Sequence, residues 1–192
     1  MRTLTYFVGV TLDGYIAAPD GSFDFFPVEP PVVEFIAEHY PETMPTFVRD
    51  QLGLTAPGTR FDTVVMGRGT YTPGLDAGIT SPYAHLQQHV VSTTLPDDTD
   101  KEVTFTNDDP VALVRRLKQE PGLGVWLAGG GHLAAAVLEE IDELVLKRYP
   151  IVLGAGIPVL AGSEAKPLPF TPTERRDIPG GTTVTTYVRR TA

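Results

Sequence analysis

Three consecutive glycines, Gly129, Gly130 and Gly131, stand between an apolar run (VWLA, residues 125–128) and an alanine-rich stretch (HLAAAVLEE, residues 132–140). Glycine loses more conformational freedom on ordering than any other residue. Three in a row at a strand-to-helix junction are therefore disfavoured unless the backbone takes unusual dihedrals or approaches a ligand closely. Tight packing of helix against strand is the alternative use for them. Gly129, Gly131 and Ala134 also satisfy the G-x-G-x-x-G/A dinucleotide fingerprint. That fingerprint normally has an acid about 20 residues further on. Lys147 and Arg148 occupy that region here, and too little chain follows for a full Rossmann array.

A second junction of the same kind, VVMGRGTY, spans residues 64–71. Gly67 and Gly69 let backbone approach a ligand, the N–H groups opening the next helix favour an anion, and Arg68 adds a guanidinium suited to phosphate. An ordinary turn carrying an exposed Arg is the competing reading. In an open α/β sheet, strand carboxyl ends share one edge, so both junctions can face one pyrophosphate. Ser92, Thr93 and Thr94 follow the run HVV and project hydroxyls from that edge.

The remaining pattern supports such a sheet. Residues 3–11 read as a strand buried on both faces, and residues 62–66, 89–93, 102–106, 124–128 and 144–153 as further strands. Pro150 marks a bulge or edge in the last of these. Residues 12–27 read as a loop, and Pro30-Pro31 open a helix that stops before Pro41. A short helix is expected over residues 46–54. Another reaches about Gln119, with Asn107 or Asp108 as N-cap and Val111, Leu113, Val114 and Leu117 as its apolar face. Residues 170–178 and 182–190 flank Pro179-Gly180-Gly181 as a terminal hairpin. The fold class is thus α/β: a mostly parallel sheet with helices on both faces, a C-terminal antiparallel hairpin, and one domain over residues 1–192.

Composition narrows the function. The chain of 192 residues has no Cys, which removes a disulfide scaffold, a thiolate zinc site and a Cys nucleophile. Its net charge of −9 argues against nucleic acid, whose binding rests on phosphate neutralisation. No apolar run has the length of a membrane span and the N-terminus lacks a signal-peptide layout, so the expectation is a cytoplasmic protein with no membrane partner. His85 and His89 are four apart, but the strand pattern begins at once after them, so no metal site is expected. Trp126 reads as core.

VVMGRGTY, the strand ending HVVST and VWLAGGGHLAAAVLEEIDELVL, in this order and spacing, resemble the dihydrofolate reductase superfamily. With TLDGYIAAPDGSFDF near the start and YPIVLGAGIPVL after the glycine triple, the likeness is greatest to its riboflavin-biosynthesis reductase branch. The resemblance implies an NADPH-dependent reductase of a small heterocyclic or carbonyl compound. Arg68 and Thr70 would hold phosphates, Ser92 and Thr93 would flank the adenosine 2′-phosphate, and Gly67, Gly129, Gly130 and Gly131 would admit the cofactor. Val8 and Gly9, with Ile16 and Ala17, would frame the nicotinamide. His132 stands where related reductases often carry an Arg. Candidate proton donors are Glu34, from the first helix as in dihydrofolate reductases, Asp13 of the T-L-D-G loop, and Asp24 where the loop closes over substrate. An Asx-turn is the alternative for Asp13 and a solvated helix face for Glu34. The family's habits and the apolar residues 149–160 point to a homodimer.

Charge position speaks to substrate. Residues 1–48 carry one base, Arg2, against seven acids: Asp13, Asp20, Asp24, Glu29, Glu34, Glu38 and Glu42. In the resembled fold this segment forms much of the substrate wall, with Phe23, Phe25 and Phe26 as an apolar lid. Only Arg49, Arg60 or a partner subunit could easily supply a cation there, so the expected substrate is neutral or cationic. Two alternatives remain: a dinucleotide-binding module without turnover, and a riboflavin-pathway reductase that borrows cations from a dimer partner.

Overall fold

The β-branched and aromatic runs become strands, and the amphipathic stretches between them become helices. The protein, seen in a computed structural model, is described over residues 1–95, 99–162 and 167–190. Along the chain run β1 (Leu4–Val10), β2 (Tyr15–Ala17), α1 (Pro30–His39), α2 (Thr46–Gln51), β3 (Phe61–Gly67) and α3 (Arg68–Asp76). Then come β4 (Gln87–Val91), β5 (Val103–Thr106), α4 (Pro110–Gln119), β6 (Gly124–Gly129) and α5 (Gly131–Ala136). The chain continues with β7 (Glu143–Arg148), β8 (Ile157–Pro158), β9 (Phe170–Asp177) and β10 (Thr183–Arg189).

Eight strands form one sheet in the order β5-β4-β3-β6-β1-β7-β10-β9. The pairs from β5 through β7 are all parallel, and β10 then joins β7 and β9 antiparallel, as the hairpin pattern required. Alternation along the strands sends side chains to two cores. Phe7, Val64, Met66, Trp126 and Val145 pack on one face with Val32 of α1 and Tyr71 of α3. Leu4, Tyr6, Val65, Val125 and Leu127 pack on the other with α4 and α5 through Leu113, Leu117 and Leu133. Helices therefore cover both faces. Trp126 is core, 5% exposed, with its indole N–H donated to the Phe7 carbonyl at 3.2 Å.

Three local expectations are corrected. The N-cap of α4 is Asp109, not Asn107 or Asp108; its carboxylate accepts from the N–H groups of Val111 and Ala112, and Pro110 fills N1, where a missing N–H costs nothing. The strand expected through residue 153 ends at Arg148, because Pro150 has no N–H for a ladder and the chain turns there, Ile151 N–H bonding the Tyr149 carbonyl. Nor is that strand an edge, since it lies between β1 and β10. Residues 12–27 are not wholly loop: β2 pairs antiparallel with β8 in a small separate ladder. Among the described residues no helix is long and apolar enough to cross a membrane.

The sheet is tied at its base by Arg2. This buried guanidinium meets Asp62, the Thr63 hydroxyl at 2.7 Å and the carbonyls of Leu123 and Gly124, joining the starts of β1, β3 and β6. Asp62 in turn accepts the Leu123 N–H at 2.7 Å. Arg2 is buried while Asp62 is partly exposed, so Asp62→Ala, which leaves the guanidinium short of its counter-charge, is expected to lower unfolding free energy by about 1–2 kcal/mol in urea titration. A loss below about 0.5 kcal/mol would show that water compensates Arg2.

Candidate functional site at the carboxyl rim

Parallel pairing puts the ends of β1, β3, β4 and β6 on one rim, where Gly9, Gly67, Ser92 and Gly129 lie. The two glycine junctions touch. A Cβ on Gly67 would stand 3.7 Å from the Gly129 carbonyl oxygen and 3.9 Å from the Gly130 nitrogen. One on Gly130 would stand 3.7 Å from the Thr70 hydroxyl and 3.9 Å from Ile16 Cδ1. Gly67, Thr70, Gly129, Gly130 and Ile16 thus converge. Gly129 has φ +111°, which only glycine adopts readily, and its peptide bond to Gly130 is cis. Gly67 is the N-cap of α3 and offers no side chain, so the helix begins with uncapped N–H groups beside open space at Gly69.

Next to this cradle, Arg68, Val91, Ser92, Thr93 and Thr94 line one side of a cleft of about 500 Å³, and Asn107 to Pro110 line the other. Arg68 donates to the Thr94 hydroxyl at 3.1 Å and is otherwise exposed. The Ser92 oxygen accepts the N–H groups of Thr94 and Leu95, which fixes the turn and leaves its own proton to offer. Both carboxylate oxygens of Asp109 are committed to the α4 cap, whereas Asp108 is exposed on the cleft wall. Asn107 and Asp108 were expected only as caps; their place opposite Ser92 follows from β5 lying beside β4, which the local pattern did not reveal.

Other expected cofactor residues have different surroundings. Gly131 is a packing glycine: a Cβ there would fall 2.1 Å from the Pro158 carbonyl oxygen and 3.3 Å from Ala161 Cβ. His132 is exposed on α5 and does not line the cleft. Ala17 is buried in the ladder with β8. Gly9 lies on the β1–β7 side of the rim, where a Cβ would meet Tyr149 at 3.3 Å, Lys147 at 3.6 Å and Phe26 at 3.9 Å.

The candidate proton donors do not converge. Asp13 accepts the Thr11 hydroxyl at 2.6 Å and the N–H groups of Leu153 and Gly154, so it anchors the loop after β1 to the chain beyond β7. The Thr11 hydroxyl first, and then those amides, hold its carboxyl down at about 2, so it has no proton to give near neutrality. Glu34 and Asp24 are both exposed. Nor do the acids of residues 1–48 all stand on one wall. Glu42 is buried and accepts the N–H groups of Thr59 and Arg60, and Asp20 caps Ser22. Of the two cations expected to be within reach, Arg49 is buried against the Ala56 carbonyl and Arg60 lies 4.7 Å above the Tyr40 ring. A cation that stands beside Gly9 and Tyr149 is Lys147, which the sequence reading places only in the fingerprint acid's region. Parity along β7 was the signal: Val145, Lys147 and Tyr149 alternate with Leu144, Leu146 and Arg148.

Of the expected aromatic lid, Phe26 packs on Tyr149 with centroids 4.7 Å apart and Phe25 on Phe26 at 4.5 Å, while Phe23 is exposed. His85, of the HLQQH pair, has its ring nitrogens on the Thr46 hydroxyl and the Glu42 carbonyl, and burial lowers its pKa.

The sequence profile of the RibD C-terminal domain matches residues 2–184. Two Bacillus subtilis (strain 168) proteins named as uncharacterized are similar: YwjB, 33% identical over 160 residues, and YyaP, 26% identical over 170. These alignments cover 82% of this chain and 82% and 80% of theirs. Among solved structures, a putative riboflavin biosynthesis protein from Shewanella sp. PV-4 superposes with TM-score 0.71 at 27% identity over all of both chains. The Thermotoga maritima diaminohydroxyphosphoribosylaminopyrimidine deaminase/5-amino-6-(5-phosphoribosylamino)uracil reductase superposes with TM-score 0.64. At 14% identity, over 98% of this chain and 57% of that one, it shows a shared fold.

Two expectations separate the glycines and the loop anchor. Gly131→Ala is expected to cost at least about 2 kcal/mol in denaturant titration, because its Cβ meets backbone, whereas Gly69→Ala, in open space, is expected to cost nothing and to gain up to about 1 kcal/mol of helix propensity. Equal effects would show that the junctions are packed otherwise. For Asp13, a folded-state pKa below the unfolded value means that its stabilisation is complete above about pH 4 and lost as pH falls through about 2. NMR titration of its carboxyl should place the midpoint near 2; a midpoint near 4 would show that the anchor is not formed.

Proposed function

We propose that this chain, which belongs to the RibD C-terminal domain family, is an NADPH-dependent reductase of a small, planar, neutral heterocyclic or carbonyl compound. The observation carrying this reading is the meeting of the Gly67 and Gly129-Gly130 junctions at one rim, flanked by the Arg68 cleft. The residues fit a dinucleotide: no Cβ stands at the point of closest backbone approach, the first turn of α3 is uncapped, and Arg68 has hydroxyl neighbours in Ser92, Thr93 and Thr94. Thr70 and the α3 amides would hold the pyrophosphate, and Arg68 with the Ser92–Thr94 turn would hold a 2′-phosphate. When bound, the nicotinamide supplies a hydride.

What this chain does is bind, orient and exclude water. Phe25, Phe26 and Tyr149 form an apolar wall beside Gly9, against which a planar substrate would lie. A neutral substrate suits this side best, because Lys147 stands there beside Tyr149 while Glu29 acts on the same Tyr149. The second reading, a dinucleotide binder without turnover, is favoured by the dispersal of the candidate carboxylic acids. Oxidation of NADPH by any heterocycle separates the two.

A thermal shift series with NADPH, NADP⁺, NADH and ATP tests the pocket. A ligand at 100 times its Kd stabilises by about 2.7 kcal/mol. NADPH is expected to give the largest shift. Arg68→Ala should abolish the preference over NADH, and Asp108→Ala should enlarge it by removing a carboxylate from the phosphate's cleft. No shift with any dinucleotide would overturn the reading.

A further inference from the structure

Lys147 sits on the sheet between Gly9 of β1 and Val184 of β10. Because Gly9 has no side chain, the lysine stem lies across it, with Cε 3.6 Å from where a Cβ would be. The ammonium nitrogen stands 5.7 Å from the Phe7 ring centroid and 5.5 Å from that of Tyr149, and Phe26 leans on Tyr149 from the loop side. Both distances suit a cation over an aromatic face. Among the described residues no carboxylate forms an ion pair with Lys147.

The charged groups on the surrounding described elements form no ion pair with Lys147. Glu143, on the same face of β7, accepts the Thr5 hydroxyl at 2.8 Å. Glu29, at the start of α1, acts on Tyr149, whose phenol is pushed up to about 12 mainly by burial. Asp24 is exposed, and Arg60 lies over Tyr40. β10 contributes Val184 and Thr186, which carry no charge. Desolvation alone lowers the Lys147 amine to about 8, within the range in which a group can both hold and release a proton near neutrality.

We propose that Lys147 is the group that meets the substrate and gives it a proton: its ammonium, set among Phe7, Phe26 and Tyr149 beside Gly9, donates to the carbonyl oxygen or imine nitrogen of a planar heterocycle. This rests on the reductase reading above. For a carbonyl substrate, the carbon gains a hydride from the reduced nicotinamide, the C–O π pair moves to oxygen, and oxygen takes the Nζ proton. The products are the alcohol, the oxidised nicotinamide and a neutral amine, which regains a proton from water. None of the three expected carboxylic acids has that place, since Asp13 is anchored and Asp24 and Glu34 are exposed.

The test begins with NADPH oxidation by a panel of carbonyl- and imine-bearing pyrimidines and pteridines, and continues with the fastest compound from pH 6 to 10. Lys147→Met and Lys147→Arg are both expected to lower kcat by roughly 100-fold or more. Lys147→Arg should keep KM within about threefold, because guanidinium retains the charge but does not release a proton. The wild-type fall in kcat above pH about 8 should be absent from both variants. Independently of turnover, trinitrobenzenesulfonate at pH 8 should label Lys147 faster than Lys118, which is paired with Asp142 at 2.7 Å, and the substrate should slow that labelling. A variant with unchanged kcat, an alkaline fall that persists in the variants, or labelling indifferent to substrate overturns the proposal. So does a wild-type protein that binds NADPH but oxidises it with none of the panel. If no dinucleotide binds, the reductase reading falls and the proposal with it.

Discussion

Parallel pairing of β5, β4, β3, β6, β1 and β7 forces all their carboxyl ends onto one rim, and everything chemical about this protein follows from that. Each parallel strand must be re-entered from the opposite end, so helices cover the two faces and leave the rim to loops and helix starts. Order along the rim then assigns the parts. Ser92 and Arg68 lie toward β4 and β3, the glycine cradle between β3 and β6, and Gly9 with Lys147 between β1 and β7. A ligand with a charged end, a pyrophosphate waist and a flat reactive ring matches that sequence of environments.

The glycines show how one residue type serves two ends. Gly131 is glycine because a Cβ would collide with the Pro158 carbonyl, which lets the 158–161 segment close over α5. Gly67 and Gly130 meet nothing nearer than 3.7 Å, so packing does not require them. Their bareness leaves backbone accessible at the rim. The G-x-G-x-x-A match therefore joins Gly129, buried and needed for its positive φ, to Gly131, needed for packing, and the bare glycine of the run is Gly130 between them.

Much of the architecture was legible in the sequence because hydrophobic period and glycine placement are local signals. The central strands, the α4 stripe of Leu113, Val114 and Leu117 and the terminal hairpin all fall close to where the pattern put them. Legibility failed where the outcome depended on distant partners. β2 exists because Tyr15 and Ala17 meet residues 157–158, and Asp13 is an anchor because the Leu153 and Gly154 amides reach it. The acid count of residues 1–48 is incomplete for the same reason: it places charges on a segment without saying which turn inward to backbone, as Glu42 does. Parity along β7 gives the face of Lys147, but its place beside Gly9 depends on strand order, which the local pattern does not carry.

One rim, from the Ser92 turn across the two glycine junctions, is proposed as the dinucleotide site. Hydrogen–deuterium exchange of the full chain with and without saturating NADPH tests it most directly, because exchange reports which backbone amides the ligand covers. Slowed exchange is expected in residues 67–70, 92–95 and 129–131, with β9 and β10 unchanged. Protection confined to other segments, or none at all in the presence of the ligand, would contradict it.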